Sequence, residues 1–321
     1  MTEDPARHRP QVVFTDTSIA DEARALLEPT CDIRIAGAYA SEDATIAVAR
    51  DADAIIARLG QITAGVIAAA PRLRIVACHG SGVDCVDMAA ATARRVVVTN
   101  AGPSNAGAVA EYTFALLLAL LRKIPLADRG MREGAWARTP QIGASLEGKT
   151  LGIVGFGQIG QRVARSALGF GMRVLVTDPR AQTPAEITRV PLERLLATAD
   201  IVSVHARLTP ETAGMLDPRA MRSGSVLVNT ARGEIVREDC LIEALRTGHL
   251  AGAALDTYAV EPLPAASPLR SMDNVVLSPH VSAQTREAMA AMGRTAAEAI
   301  LDVLAGRRPK FVRNPEVYAA P

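Results

Sequence analysis

Aromatic residues are scarce: one tryptophan, five phenylalanines and four tyrosines in 321 residues. A surface that stacks nucleobases needs more, so no nucleic-acid partner is expected. Charge of one sign is equally lacking. Thirty-five basic side chains against 34 acidic ones leave a net charge of +1, intermixed along the chain, which excludes a polyanion-binding stripe or an acidic tail. The four cysteines, at 31, 78, 85 and 240, form no C-x-x-C pair, and the five histidines are scattered, so no metal site is expected. The most apolar run, residues 114–121, lies between Glu111 and Arg122-Lys123. It falls well short of the roughly 20 residues a bilayer requires and predicts a buried helix. The polar start, Met1-Thr2-Glu3-Asp4-Pro5, is unlike a secretory signal and predicts a loose tail. Reduced thiols, no membrane contact and a cytoplasmic setting are the resulting expectations. Tandem repeats and low-complexity stretches are absent too.

What the chain does have is 49% hydrophobic content in short β-branched runs that alternate with helical stretches. Residues 11–15, 32–35, 54–57, 74–77 and 96–98 read as strands, with helices over 19–27 and 41–50. Such alternation predicts a parallel sheet covered on both faces, an α/β domain of flavodoxin-like type. Asn100-Ala101-Gly102-Pro103-Ser104 is a turn-rich break before a helix expected over 106–123. A second α/β domain follows, with strands over 150–154, 174–176, 201–204, 226–228, 252–255 and 274–277. A last helix, 285–304, carries Met289, Met292, Ala296 and Ile300 on one face, suited to packing back on the first domain. The expected division is 1–101 plus 288–321 for a discontinuous substrate domain and 102–287 for a Rossmann domain. The fold class is α/β, with two doubly wound parallel-sheet domains.

Gly155-Phe156-Gly157-Gln158-Ile159-Gly160 stands between the strand ending at Val154 and a helical pattern through Val163, Ala164, Ala167 and Leu168. A second strand then ends at Asp178, 18 residues beyond Gly160. This strand–turn–helix–strand–acid unit has the size of a dinucleotide site. Gly155 permits the tight turn, Gly157 a close backbone approach to pyrophosphate, and Gly160 the packing of helix on strand. The helix start offers free N–H groups and a positive dipole end to the phosphates. Asp178 would accept from both ribose hydroxyls and repel a 2′-phosphate, favouring NAD; Arg180 and Arg207 are the residues that could admit NADP.

Ligands of open parallel sheets bind outside the carboxyl ends of the strands. In the second domain the strand over 226–228 runs into Asn229-Thr230-Ala231-Arg232-Gly233, that over 252–255 into Asp256 and Glu261, and that over 274–277 into His280. Hydride transfer to a keto acid needs an anion holder, a proton donor and a group that keeps the donor charged. Arg232 can fork onto a carboxylate and its neighbouring carbonyl. His280 can act as general acid and base, and Glu261 can stabilise its imidazolium form.

These segments resemble the D-isomer-specific 2-hydroxyacid dehydrogenases, which include D-3-phosphoglycerate dehydrogenase and hydroxypyruvate/glyoxylate reductases. The carriers are HGSGVDCVD (79–87), NAGPSNAGAVAE (100–111), GKTLGIVGFGQIG (148–160), VNTARG (228–233), LDTYAVEP (255–262) and SPHVSAQT (278–285). The resemblance implies an NAD-dependent oxidoreductase acting on a small D-2-hydroxy acid or its 2-keto acid, with Arg232, Glu261 and His280 as catalytic residues. It implies cofactor contacts from Gln158, Ile159, Asp178, Thr230, Ala231, Arg232, Asp256, His280, Ser282 and Ala283, beside the three glycines. Ser81 and Gly82 would join Arg232 and His280 on the substrate. A homodimer is implied, with the helix after Asn105 and the arm around Trp136 at the interface.

Two departures from the family pattern stand out. Family members often read His-x-Pro-x-Thr where this chain has His205-Ala206-Arg207-Leu208-Thr209, and Cys78 occupies a position where phosphoglycerate enzymes often carry arginine. The alternatives are D-3-phosphoglycerate dehydrogenase specifically, for which Arg58 and His79 could attract a phosphate, and a corepressor-like NADH sensor on the same fold. Formate dehydrogenase shares the fold but has Gln where Glu261 stands. The resemblance leaves the identity of the hydroxy acid open.

Overall fold

The computed structural model describes residues 9–136, 138 and 142–319. The expected N-terminal tail, and part of the arm around Trp136, lie outside these residues. The chain divides into two compact units, Met1–Asn105 with Gln284–Pro321, and Ala106–Ala283. The expected boundaries at 101/102 and 287/288 each lie four residues from these.

The first unit is built on β1 (Gln11–Phe14), β2 (Asp32–Ile35), β3 (Ala54–Ala57), β4 (Ile75–Cys78) and β5 (Val97–Thr99), interleaved with α1 (Asp21–Leu27), α2 (Glu42–Ala49), α3 (Ala64–Ala69) and α4 (Met88–Ala93). The strands pair in parallel in the order β2-β1-β3-β4-β5, the flavodoxin-like arrangement. Central strands β3 and β4 are buried at every position, as a sheet covered on both faces demands, whereas edge strand β2 is largely exposed. Helix starts follow their caps: the side chains of Ser41, Thr63 and Asp87 each accept from an N–H three residues on.

The second unit opens with α5 (Ala106–Leu121) and α6 (Ile124–Arg132). The single helix expected over 106–123 therefore ends at Leu121, and Lys123 turns the chain with a left-handed φ of 53°. Then follow β6 (Thr150–Val154), α7 (Gln158–Gly169), β7 (Arg173–Thr177), β8 (Ile187–Arg189), α8 (Leu192–Thr198), β9 (Ile201–Val204), β10 (Val226–Asn229), α9 (Glu238–Arg246), β11 (Gly252–Leu255) and β12 (Val275–Leu277). All seven strands are parallel, in the order β12-β11-β10-β9-β6-β7-β8, so the direction of winding reverses at β6 and β9. Alternate side chains of one strand feed two cores. Val226 and Val228 join Leu117, Val163 and Val174 on one face, while Leu227 joins Val202, Leu241 and Ala253 on the other.

The chain then returns to the first unit through α10 (Arg286–Leu304), capped by Thr285. Met292, Ala296 and Ile300 are buried there, the latter two among Phe14, Ala23, Leu27 and Ile75. Gly293 lets the helices approach: an added Cβ would lie 3.1 Å from that of Ala20. Among the described residues no helix is long and apolar enough to cross a membrane, and no cluster of His, Cys, Asp and Glu is placed to hold a metal.

Candidate active site

The three glycines of the turn after β6 stand in different surroundings. Gly155 has φ +93°, and a Cβ there would sit 2.5 Å from the Ala206 amide nitrogen. A Cβ on Gly160 would sit 2.2 Å from the Gly155 carbonyl oxygen, so glycine is what lets α7 lie on its strand. Gly157, by contrast, faces open space, room for a ligand to approach the backbone. It is also the N-cap of α7 and offers no side chain to the first turn. The helix start therefore presents uncapped N–H donors and the positive dipole end. Gln158 is exposed and Ile159 half-buried beside it.

Asp178, at the end of β7, accepts the Phe156 N–H on Oδ2 at 2.8 Å and the Arg180 N–H on Oδ1 at 2.8 Å. It thereby ties the glycine turn to the neighbouring strand while remaining half-exposed. Each carboxylate oxygen has further lone pairs, so ribose hydroxyls could still donate to it. A pyrophosphate on the helix start and a ribose on Asp178 fit the residues present.

Three neighbouring strand ends lead to Arg232, Glu261 and His280. Asn229, Leu255 and Leu277 lie in mutual register at the carboxyl ends of β10, β11 and β12. After β10, Asn229 clamps its own loop: its Oδ1 accepts from Ala231 N–H at 3.0 Å and its Nδ2 donates to Arg232 O at 2.9 Å. Arg232 Nη1 donates to Ala231 O at 2.6 Å, and the side chain is half-buried. Thr230 is buried and within 3.1 Å of the Thr113 hydroxyl. Gly233 lets this loop press against the next one, since a Cβ there would fall 1.9 Å from the Tyr258 carbonyl carbon.

His280 Nδ1 lies 2.7 Å from Glu261 Oε2, and Glu261 Oε1 accepts the Tyr258 N–H at 3.0 Å. Burial pushes the Glu261 carboxyl up, but the hydrogen bond and charge of His280, the Tyr258 N–H and the Arg232 charge outweigh it. The carboxyl is held below its ordinary value, so it is ionised at neutral pH. The Arg232 charge thus reaches the dyad. The His280 side chain is 44% exposed and that of Glu261 32%, leaving the imidazole edge open to a ligand.

His280 adopts a left-handed φ of 55°, a conformation that disfavours a Cβ. Asp256 enforces it: fully buried, it accepts from Val281 N–H and Ser282 N–H, both at 2.9 Å, one on each oxygen. The carboxylate therefore grips the backbone just after the histidine. Ser282 is buried and Ala283 half-buried in the same turn. In the first unit, Ser81 is exposed and Gly82 half-buried.

Residues 114–282 match the family described as D-isomer specific 2-hydroxyacid dehydrogenase, NAD binding domain. The chain belongs to this family. It is 44% identical to D-3-phosphoglycerate dehydrogenase of Mycobacterium bovis over 82% of its own length and 51% of that protein. It thus spans about half the length of the mycobacterial relatives it matches. It is 37% identical to glyoxylate reductase of Thermofilum pendens, with 96% of each chain covered. The crystal structure of the TT0316 protein from Thermus thermophilus superposes with a TM-score of 0.88 at 38% identity, covering 94% of this chain and 99% of that one. NAD is accordingly the cofactor of this family member, and the two parallel-sheet units are the family fold.

Two residues of this family member carry structural weight that spacing alone does not reveal. The Tyr258 hydroxyl donates to Ser278 O at 2.8 Å and Leu255 O at 3.1 Å, and accepts from Ser278 N–H at 3.1 Å. With its own N–H on Glu261, it braces both partners of the dyad. Burial first, then the Asp256 and Glu261 charges, push this phenol up to about 12, so it stays a donor. Tyr112, on α5, adds a 2.7 Å contact to the Ser278 hydroxyl. The one available signal was the position of Tyr258 between Asp256 and Glu261.

Proposed function

We propose that the chain is an NAD-dependent oxidoreductase that interconverts a small D-2-hydroxy acid and its 2-keto acid. The observation that carries this reading is the 2.7 Å His280–Glu261 contact beside Arg232, at strand ends adjoining the cofactor turn. When bound, the nicotinamide cofactor supplies or accepts the hydride. Arg232 holds the substrate carboxylate and polarises the neighbouring carbonyl by its planar fork of donors. His280, its Nδ1–H directed to Glu261, presents Nε2 to the substrate oxygen and gives up a proton as alkoxide character develops. Glu261, ionised, favours the imidazolium form before the transfer; in the oxidative direction the same pair accepts the hydroxyl proton.

The cofactor contacts assigned to Thr230, Ala231, Asp256, Ser282 and Ala283, and the substrate contacts of Ser81 and Gly82, belong to this reading and rest on the family resemblance. A non-phosphorylated substrate is favoured. The Arg58 guanidinium is engaged by Asp16 at 3.5 Å, with side chains only 9% and 4% exposed, and by Ser18 O at 2.9 Å, so little of its charge is spare for a phosphate. Cys78 contributes no charge where an arginine would.

A homodimer is part of the proposal. Helix α6 has no buried residue, and the apolar side chains of Ile124, Met131, Trp136 and Ile142 are 52%, 54%, 79% and 74% exposed, available to a second copy. Sedimentation at monomer mass would overturn that part.

The deciding experiment measures NADH oxidation with hydroxypyruvate, glyoxylate, pyruvate, branched keto acids and phosphohydroxypyruvate. Turnover with at least one keto acid is expected, and His280→Ala should lower kcat by roughly 10²–10⁴-fold with NADH affinity retained. Full turnover in that variant would remove the histidine from the mechanism. Tight NADH binding without turnover on any acid would favour a nucleotide sensor instead.

A further inference from the structure

Cys78 closes β4, and Cys85 stands seven residues on, at the far end of the loop that carries Gly80, Ser81 and Gly82. Neither is in a disulfide, and their sulfurs are 3.9 Å apart. Both ends of the loop are anchored. Cys78 pairs with Ala57 in the β3–β4 ladder, and Cys85 O accepts the Ile62 N–H at 2.7 Å. Between them, Gly80 O accepts from Ala101 N–H at 2.8 Å and Ser81 O from Asn100 Nδ2 at 2.6 Å. A disulfide needs the sulfurs about 1.9 Å closer. Accessibility distinguishes the two: Cys78 is 2% exposed, whereas Cys85 is only half-buried. The remaining thiols, Cys31 and Cys240, are buried.

We propose that Cys78 and Cys85 form a redox modification site, at which a hydroperoxide produces an intramolecular disulfide that pins the loop bearing Ser81 and Gly82. The Cys85 sulfur attacks the peroxide: an S–O bond forms, the O–O bond breaks, and the departing oxygen takes the Cys85 proton and leaves as alcohol or water. The Cys78 sulfur then attacks the Cys85 sulfur. The S–S bond forms, the S–O bond breaks, and the hydroxide leaves as water with the Cys78 proton. Each sulfur loses one electron and the peroxide gains two. Between events Cys78 stays a thiol, because its hydrogen bond with Cys85, and then its burial, hold it well above the ordinary cysteine value. Only the effect on turnover rests on the substrate role proposed above for Ser81 and Gly82; the disulfide does not.

The test treats the reduced full-length protein with hydrogen peroxide and reads thiols, mass and kinetics. Two of the four thiols should disappear, the tryptic peptide 75–94, which holds both cysteines, should become two hydrogens lighter, and dithiothreitol should restore both. Cys78→Ser and Cys85→Ser should each prevent formation of the lighter peptide. Oxidised protein should show a KM for the keto acid raised roughly tenfold, about 1.4 kcal/mol, with NADH affinity unchanged. A peptide of unaltered mass, or one whose loss of hydrogens survives either substitution, overturns the site. A disulfide with unchanged KM overturns its control of the loop. The mass and thiol measurements decide the matter even if no keto acid is turned over.

Discussion

Replacing Glu261 by glutamine isolates the charge in the proposed dyad from its shape. In the native site one oxygen takes the His280 Nδ1–H at 2.7 Å and the other the Tyr258 N–H at 3.0 Å. Glutamine can satisfy only one of them. With its oxygen toward His280 the amide NH2 meets a second donor at Tyr258; with its oxygen toward Tyr258 the NH2 confronts Nδ1 and forces the neutral tautomer protonated on Nε2. Either orientation also removes a charge-assisted bond. A fully buried pair would lose more than 3 kcal/mol, but side chains 44% and 32% exposed admit water and screening, which lowers the expected loss. About 1–2 kcal/mol is appropriate, or roughly five- to thirty-fold in kcat/KM for keto-acid reduction. The assay is initial-rate NADH oxidation at neutral pH for both proteins. NADH affinity and Tm should stay near native values. A variant with native kcat/KM would refute the claim that the carboxylate supports proton transfer at His280.

Asp178→Ser should weaken NADH binding and improve NADPH binding, as measured by Kd for each, because it removes both the ribose acceptor and the charge that repels a 2′-phosphate. Unchanged discrimination would show that specificity is set elsewhere. A second expectation concerns acid stability. Burial, followed by the Arg58 charge, lowers His79 to about 4, and burial lowers His205 to about 3, both from 6.5. Below pH 6.5 the unfolded chain takes up protons that the folded one refuses, so stability is intact above 6.5 and falls as pH drops toward 4. Each histidine contributes a slope of up to roughly 1.4 kcal/mol per pH unit. Denaturant midpoints at pH 7 and 5 should differ less in His79→Gln than in the native chain, and parallel curves would contradict the assignment.

Much of this was legible because parallel strands buried on both faces are continuous apolar runs, and the first polar residue after each is forced to the ligand edge. Val226-Leu227-Val228, followed by Asn229 to Arg232, shows that logic at its clearest. The glycines were legible for a different reason: the turn after Val154 needs a positive φ at Gly155 and bare backbone at Gly160, and no other residue supplies both cheaply. What escaped depends on contacts between distant segments. Edge strand β8 is too short and polar to show a period, and α6 begins after Lys123 turns left-handed, which the pair Arg122-Lys123 does not advertise. The 3.9 Å approach of Cys78 and Cys85 depends on a loop path that sequence separation does not encode.

The acids of the second unit show why residue type could not assign these roles unaided. Asp256 is fully buried, and each of its oxygens accepts a backbone N–H, from Val281 and from Ser282. Breaking that grip would strand one buried and one half-buried donor and release the left-handed His280, so its visible task is mechanical. Glu261, five residues on, sits at a partly exposed edge where one oxygen meets a side chain that can exchange protons with a ligand. Asp178 is intermediate: it braces the glycine turn through Phe156 and keeps lone pairs toward solvent. The chemistry available to each carboxylate is what its backbone contacts leave over. By that measure Glu261, whose Oε2 is committed only to an imidazole, is the acid that can respond when a substrate takes or returns a proton at His280.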